Sequence, residues 1–246
     1  MKPIVLIPAR MASTRLPGKP LADIAGQPMI VRVWRRAVAA GVGPVVVAAA
    51  EPAIREAVEI AGGRAVMTEP ALPSGSDRVF AALERIDAAY AHDVVVNLQG
   101  DLPALDPSHI RAVVDALAAS GADMATLAAE IDDEADRSNT NVVKAVVAWD
   151  VSGSRGRALY FTRAQAPFGD GPLFHHVGLY AYRREALARF VTLEPSALEK
   201  RERLEQLRAL EAGMSIAVAL IDEVPLSVDT PDDLERARRL LARGGA

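Results

Sequence analysis

Short apolar runs and amphipathic segments alternate along the first half of the chain. Ile4 to Ile7 is a run rich in β-branched residues that stops at Pro8, the signature of a buried strand. From Pro28, the apolar positions Met29, Ile30, Val33, Trp34 and Val38 recur at helical spacing and end at Gly41 and Gly43. Pro44 to Ala49 reads as a second buried strand, and Glu51-Pro52 starts a helix to Ile60 that Gly62-Gly63 stops. A short strand over Ala65 to Met67, a loop, and a helix through Val79, Leu83 and Ile86 follow. Val94 to Leu98 is the next strand, and Asp106-Pro107 caps a helix running to about Ala119. Repeated strand–helix units with β-branched strands predict a mostly parallel sheet flanked by helices, Rossmann-like in class.

The second half changes character. Met124 to Ile131, Val142 to Trp149, Ala158 to Thr162 and Val177 to Tyr182 read as extended, with Asp132 to Asn141 and Asp150 to Arg157 as loops between them. This predicts a smaller antiparallel or mixed strand section that extends the sheet and covers the site. A long charged helix over Ala197 to Ala212, strands at Ile216 to Ile221 and Leu226 to Val228, and a final helix from Thr230-Pro231 to about Arg243 complete the expectation. The whole reads as one α/β domain over 1–246, with halves near 1–120 and 121–215 and a returning segment over 216–246.

Composition narrows the class. The 246 residues are half hydrophobic, and the formal net charge of -4 argues against a general binder of nucleic acid or anionic membranes. Without cysteine there are no disulfides, thiolate metal sites or thiol nucleophiles, in keeping with a reducing cytoplasm. No segment approaches the roughly 20 apolar residues of a membrane helix, and the apolar run behind Met1-Lys2 is too short for a signal-peptide core. A cytoplasmic protein is the expectation.

Candidate chemistry gathers at predicted strand ends, where open parallel sheets bind ligands. The loop after the first strand carries Arg10, Arg15 and Lys19, with no acidic residue before Asp23. Three uncompensated cations at such an exit suit a polyanion such as a triphosphate, the alternative being a solvated basic loop. The loop has neither G-x-x-x-x-G-K-[ST] nor G-x-G-x-x-G, so side-chain cations replace a glycine-rich nest. Asp101 follows Gly100 directly after a strand, as a turn aspartate or as a ligand for Mg²⁺. Asp229 is surplus to the helix start that Thr230, Pro231 and Asp233 already satisfy, and is a second carboxylate for such an ion. In Ser74-Gly75-Ser76-Asp77-Arg78 the glycine allows close approach to a flat base, the alternative being Ser76 as an ordinary N-cap. His175 and His176 alternate across a strand and do not line one site together.

Taken in order, these segments resemble the sugar nucleotidyltransferases, specifically the 3-deoxy-manno-octulosonate (Kdo) cytidylyltransferases. The resemblance rests on Ile7-Pro8-Ala9-Arg10, Ser13-Thr14-Arg15-Leu16-Pro17-Gly18-Lys19-Pro20, Ser74 to Arg78 and Val96 to Asp101, then Asn139 to Lys144, Leu159 to Arg163, His176 to Tyr182, Leu204 to Arg208 and Val228 to Pro231. It implies the fold of nucleotide-diphospho-sugar transferases and transfer of CMP from CTP to Kdo, with Mg²⁺, feeding lipopolysaccharide inner-core synthesis. By family position, Ala9, Arg10, Ser13, Arg15, Lys19, Ser74, Gly75, Ser76, Arg78 and Gln99 would meet CTP. Arg10, Arg15, Lys19, Asp101 and Asp229 would be catalytic, with Asp101 and Asp229 holding the metal. Arg78, Gln99, Arg163, His176, Tyr180 and Glu205 would meet the sugar. A homodimer is also implied. Two departures stand out: Leu102 replaces a glutamate common after Gln-Gly-Asp, and the stretch between Arg163 and His175 is short. A sibling enzyme for another acidic sugar (8-amino-Kdo or a sialic acid) and a non-catalytic nucleotide-binding regulator are the competing readings.

Overall fold

A computed structural model describes residues 1–12 and 15–243; Ser13, Thr14 and 244–246 lie outside the described residues. The chain divides into two compact units, one of residues 1–111 with 225–246, the other of 112–224.

The first unit is built on β1 (Pro3–Ala9), whose central residues Val5, Leu6 and Ile7 are fully buried. After the basic loop comes a hairpin of β2 (Asp23–Ile24) and β3 (Gln27–Pro28) that the hydrophobic pattern did not predict. Its two turn residues, Ala25 and Gly26, both have positive φ, the geometry of a two-residue hairpin loop. Then follow α1 (Met29–Ala40), β4 (Val45–Ala49), α2 (Pro52–Ile60), β5 (Arg64–Met67), α3 (Gly75–Ile86) and β6 (Val94–Asn97). Gly41, with φ 67, ends α1 in the left-handed conformation, as the glycine placement predicts. The strands run parallel in the order β5-β4-β1-β6, which bears out the expected parallel sheet. α4 (Pro107–Ala119) leads out of this unit.

In the second unit, β7 (Met124–Glu130) is followed by α5 (Glu134–Ser138), β8 (Lys144–Trp149), β9 (Arg155–Thr162) and β10 (Phe174–Arg183). Next come α6 (Arg184–Val191), α7 (Ala197–Glu202), α8 (Leu207–Glu211) and β11 (Ile216–Ile221), before the chain re-enters the first unit as α9 (Pro231–Arg243). β7 is parallel to β11 and antiparallel to β10, while β9 is antiparallel to β11 and to β8. β8 also meets β10 at Lys144–His175, so these five strands close into a ring. The expected mixed section is therefore present, with more helix than the pattern suggested.

Several boundaries differ from expectation. The helix predicted over Ala197 to Ala212 is broken, because Arg203 adopts φ 58 and ends α7 in a left-handed cap. A hydrogen-bonded pair of Glu199 and Arg208 then ties α7 to α8 across the break. α6 was not anticipated; Arg184 begins it directly after β10, and Ala186, Leu187 and Phe190 form its buried face. The segment 132–141, read as loop, contains the single turn α5, capped by Asp133 on the Ala135 N–H. β9 begins inside the segment read as a loop before Ala158. Leu226 to Val228 is not a strand: behind Pro225, the Val228 N–H donates to Asp101 O at 2.9 Å rather than to a ladder. Among the described residues no helix is long and apolar enough to cross a membrane.

Candidate active site

The first unit holds a cleft of about 400 Å³ lined by the end of β1, the basic loop, the start of α3 and the turn after β6. Parallel strands point their carboxyl ends here, and the loops that leave them carry the polar groups. Of the expected residues, Ala9, Arg10, Arg15, Lys19, Ser74, Gly75, Arg78, Gln99 and Asp101 line it. Ser76 is buried just beneath, its hydroxyl accepting from Asn97 Nδ2 at 3.4 Å. Ser13 lies outside the described residues. Ala12, Pro20 and Gly100 also line the cleft; apolar or without a side chain, they carry no chemical signal in the sequence.

The basic loop folds back on itself. The Gly18 N–H donates to Met11 O, and Gly18 takes φ 72, a conformation open to glycine at no steric cost. A 3₁₀ turn over Lys19–Leu21 follows, which turns Lys19 inward until its side chain is only 15% exposed. Glu51, at the head of α2, accepts from the Met11 N–H at 2.9 Å and fixes the loop's near end. Arg10 and Arg15 remain exposed.

Lys19 is the centre of the charge arrangement. Its Nζ donates to Asp101 Oδ2 at 2.9 Å and to Asp229 Oδ1 at 3.0 Å, and Arg15 reaches Asp229 at 3.3 Å. Burial pushes the Lys19 pKa down, but Asp101 and then Asp229 outweigh it, and the ammonium is held above its ordinary value. Asp229 arrives from far along the chain through two constraints. Val228 is buried with Ile24, Met29, Leu234 and Ala237, and its N–H is bound to the Asp101 carbonyl. A capping box then sets the start of α9: Asp233 N–H donates to Thr230 Oγ1 at 3.2 Å, and Thr230 N–H to Asp233 Oδ2 at 3.0 Å. The Asp229 carboxylate is left over from capping, as the sequence pattern predicts.

α3 presents the opposite wall. Its N-cap is Ser74, not Ser76: the Ser74 hydroxyl accepts from the Asp77 N–H at 3.2 Å. Ser74 stands first because its extended backbone (φ -133, ψ 173) turns the hydroxyl onto the helix end, which leaves Ser76 inside the first turn. Gly75, the first residue of α3, lines the cleft, where its N–H is among the donors that a helix start leaves without an intrahelical acceptor. Arg78 is 2% exposed, and its guanidinium is spent on Thr68 Oγ1 at 2.6 Å, Glu69 O at 3.0 Å and Pro70 O at 3.2 Å. Burial, and Arg10 beside it, lower its pKa. Gln99 donates to Asn97 Oδ1 at 3.1 Å.

Arg163, His176, Tyr180 and Glu205 belong to the second unit. Arg163 follows β9, its Nε donating to Glu202 O at 2.8 Å and its Nη1 to Thr140 O at 3.0 Å. His176 Nε2 lies 3.1 Å from Thr126 Oγ1, and the same hydroxyl lies 3.0 Å from both the Val177 and the Leu179 carbonyl oxygens. The His176 ring lies between Phe161 and Tyr180, at centroid separations of 4.8 and 5.6 Å. Burial, with His175 adjacent, pulls the His176 pKa down to about 3, and burial raises Tyr180 well above its ordinary value. Both are neutral near pH 7. Glu205 lies 3.9 Å from Arg208.

The donor set suits a hard divalent cation. Asp101 and Asp229 converge on one nitrogen, and among the described residues no cluster of three or more histidine or acidic ligands exists. Two carboxylates completed by substrate phosphates are what Mg²⁺ accepts, whereas zinc or calcium calls for a fuller protein cage. Leu102 is buried and supplies no third carboxylate.

A family described as "Cytidylyltransferase" matches residues 4–216. A 3-deoxy-manno-octulosonate cytidylyltransferase of Parvibaculum lavamentivorans is 67% identical over 98% of this chain and 93% of its own length. One from Rhodospirillum centenum is 65% identical over 97% and 93%. Among solved structures, a CMP:2-keto-3-deoxy-manno-octonic acid synthetase complexed with CTP superposes with a TM-score of 0.92 at 37% identity, covering 99% of this chain and 100% of the other. A nucleotidyl transferase from Methanothermobacter, at 16% identity and a TM-score of 0.63 over 99% of each chain, shares the fold. With its motifs in family order and its cations and carboxylates gathered at one sheet edge, the chain belongs to the cytidylyltransferase family, among the 3-deoxy-manno-octulosonate cytidylyltransferases.

Proposed function

We propose that the protein transfers the CMP group of CTP to the anomeric hydroxyl of Kdo, releasing pyrophosphate and supplying CMP-Kdo for lipopolysaccharide inner-core synthesis. The observation that carries this reading is the convergence of Lys19, Asp101 and Asp229 at the mouth of a cleft that also holds Arg10, Arg15 and the α3 N-terminus.

The sugar hydroxyl attacks the α-phosphorus in line; a new O–P bond forms as the bond from that phosphorus to the oxygen bridging to the β-phosphate breaks, the electron pair leaves with pyrophosphate, and the hydroxyl proton passes to solvent. Arg10 and Arg15 present planar forks to the phosphate oxygens, and Lys19 adds a compact charge that its environment keeps protonated. Asp101 and Asp229 would hold Mg²⁺, which when bound neutralises charge on the phosphates. Gly75 offers its amide to the base, while Arg78 acts one layer back by fixing the Thr68–Pro70 segment. On the sugar side, Arg163 suits the carboxylate of an ulosonic acid. His176 and Tyr180, both neutral, serve as hydrogen-bonding groups and not as charges. The Kdo names borne by relatives over nearly the full chain favour Kdo over 8-amino-Kdo or a sialic acid. A cytoplasmic location is part of the same reading, in keeping with CTP as the donor, and the family resemblance implies a homodimer, which light scattering measures directly.

The test is pyrophosphate release from CTP, Mg²⁺ and Kdo. Release above a Kdo-free control is expected. Its absence refutes the reading, and release with a different acidic sugar selects that sugar instead.

A further inference from the structure

Lys144 is a buried charge with no carboxylate in salt-bridge reach among the described residues. Its side chain is 0% exposed, and its ammonium donates to Asn139 O at 2.7 Å and Val142 O at 2.8 Å. A lysine held in the interior by two carbonyls alone is costly, since burial works against its charge and lowers its pKa while Asp136 only partly opposes. A methionine would fill the same space without that cost. What the ammonium does is clamp a turn: Asn139 O also accepts from the Val142 N–H at 3.1 Å, and Asn139 Oδ1 from the Asn141 N–H at 3.0 Å.

Two further carbonyls of that turn each end on a residue of the second unit already singled out. Thr140 O accepts from Arg163 Nη1 at 3.0 Å, and Val143 O accepts from the His176 N–H at 2.8 Å. The other side of Arg163 is held by Glu202, whose backbone carbonyl takes Nε at 2.8 Å and whose carboxylate takes the Arg163 N–H at 2.9 Å and the Thr162 hydroxyl at 2.8 Å. The guanidinium is thus fixed at Nε and at Nη1, and Nη2 has no partner among the described residues.

We propose that Lys144 is a positioning residue for the acceptor sugar: its buried ammonium holds the Asn139–Val143 turn, which in turn aims Arg163 and registers His176 on β10. This rests on the reading above that Arg163 and His176 meet the sugar. Glu202 is the second arm of the same brace. The brace touches neither CTP nor the reacting atoms; it acts by presenting a preset fork to a carboxylate.

Two measurements on Lys144→Met and Lys144→Arg test it. Hydrogen–deuterium exchange on the ligand-free protein reads the brace itself. Lys144→Met is expected to speed exchange at the amides of Asn141, Val142 and His176, with Lys144→Arg restoring part of the protection; unchanged exchange at His176 overturns the proposal. Steady-state kinetics read its consequence. The KM for Kdo is expected to rise about tenfold or more in Lys144→Met, with the KM for CTP within about twofold of wild type. An unchanged KM for Kdo, or equal rises in both constants, overturns it. If Lys144→Met does not fold, Glu202→Ala must show the same split, and its absence there overturns the proposal. A wild-type protein that releases no pyrophosphate with Kdo refutes the functional reading instead, and the exchange experiment still decides the brace.

Discussion

The Lys19 ammonium lies 2.9 Å from the Asp101 carboxylate, and the same nitrogen reaches Asp229 at 3.0 Å. The least exposed cation of the basic loop therefore sits between the two carboxylates, and not across the cleft from them as a simple division into phosphate-binding and metal-binding sides would suggest. Substituting either aspartate by asparagine is expected to lower kcat by roughly 10²-fold or more. Near-wild-type turnover in Asp101→Asn or Asp229→Asn would remove that residue from the metal site.

Lys19→Met removes the ammonium that joins the two carboxylates and leaves Arg15, on Asp229, as the cation still in contact with the pair. Added Mg²⁺ is then expected to raise the melting temperature of this variant by more than it raises that of wild type. Melting curves with and without the ion check this, independently of turnover. An equal shift in both proteins would show that the carboxylates do not share the ion.

Arg78 makes three hydrogen bonds to Thr68, Glu69 and Pro70 from full burial. A lysine keeps the charge but cannot span all three acceptors. Arg78→Lys is expected to destabilise by about 1–3 kcal/mol and to raise the KM for CTP more than that for the sugar. Urea unfolding and initial rates measure the two effects.

The capping box at Thr230 and Asp233 both starts α9 and sets the backbone at Asp229, whose N–H also approaches Asp233 Oδ2 at 3.3 Å. Thr230→Ala is expected to cost about 1 kcal/mol of stability and to reduce kcat, whereas Thr230→Ser keeps both. An activity loss that serine does not rescue would contradict the assignment.

His176 has a folded pKa of about 3 against an ordinary value of 6.5. Below pH 6.5 the unfolded chain takes up a proton that the folded chain refuses, so stability falls as pH falls. The slope from this group is about 1.4 kcal/mol per pH unit over the acid range; above pH 6.5 the effect is absent. Urea midpoints from pH 7 to pH 4 are expected to drop less steeply in His176→Gln than in wild type.

Much of the site was legible locally. Pro28, Gly41, Pro52 and Pro107 mark helix ends because each acts on its own φ or on its neighbour's conformation. The surplus of Asp229 was readable because capping is a contest among four adjacent residues. The break at Arg203 was not, since an arginine in the left-handed region carries no compositional mark; Leu204, buried immediately after it, and the Glu199–Arg208 pair hold it there. Ser74 and Ser76 are both good caps by residue type, and only backbone geometry chose between them.

The sequence by itself determined the strand–helix alternation of the first unit, the cation loop at the exit of β1 and the carboxylates at two chain positions, because period, punctuation and charge are properties of neighbouring residues. Only the tertiary structure decided that Lys19 joins Asp101 to Asp229, that Arg78 spends its fork on the Thr68–Pro70 backbone, and that Lys144 holds a turn shared by Arg163 and His176. The Lys19, Arg163 and His176 contacts each depend on a carboxylate or backbone carbonyl delivered from a distant segment, whereas Arg78 and Lys144 find their acceptors within ten residues, through the way the chain turns between them. The register that delivers the distant groups, such as the Val228 N–H on the Asp101 carbonyl, comes from burial of whole elements and leaves no trace in the residues it brings together.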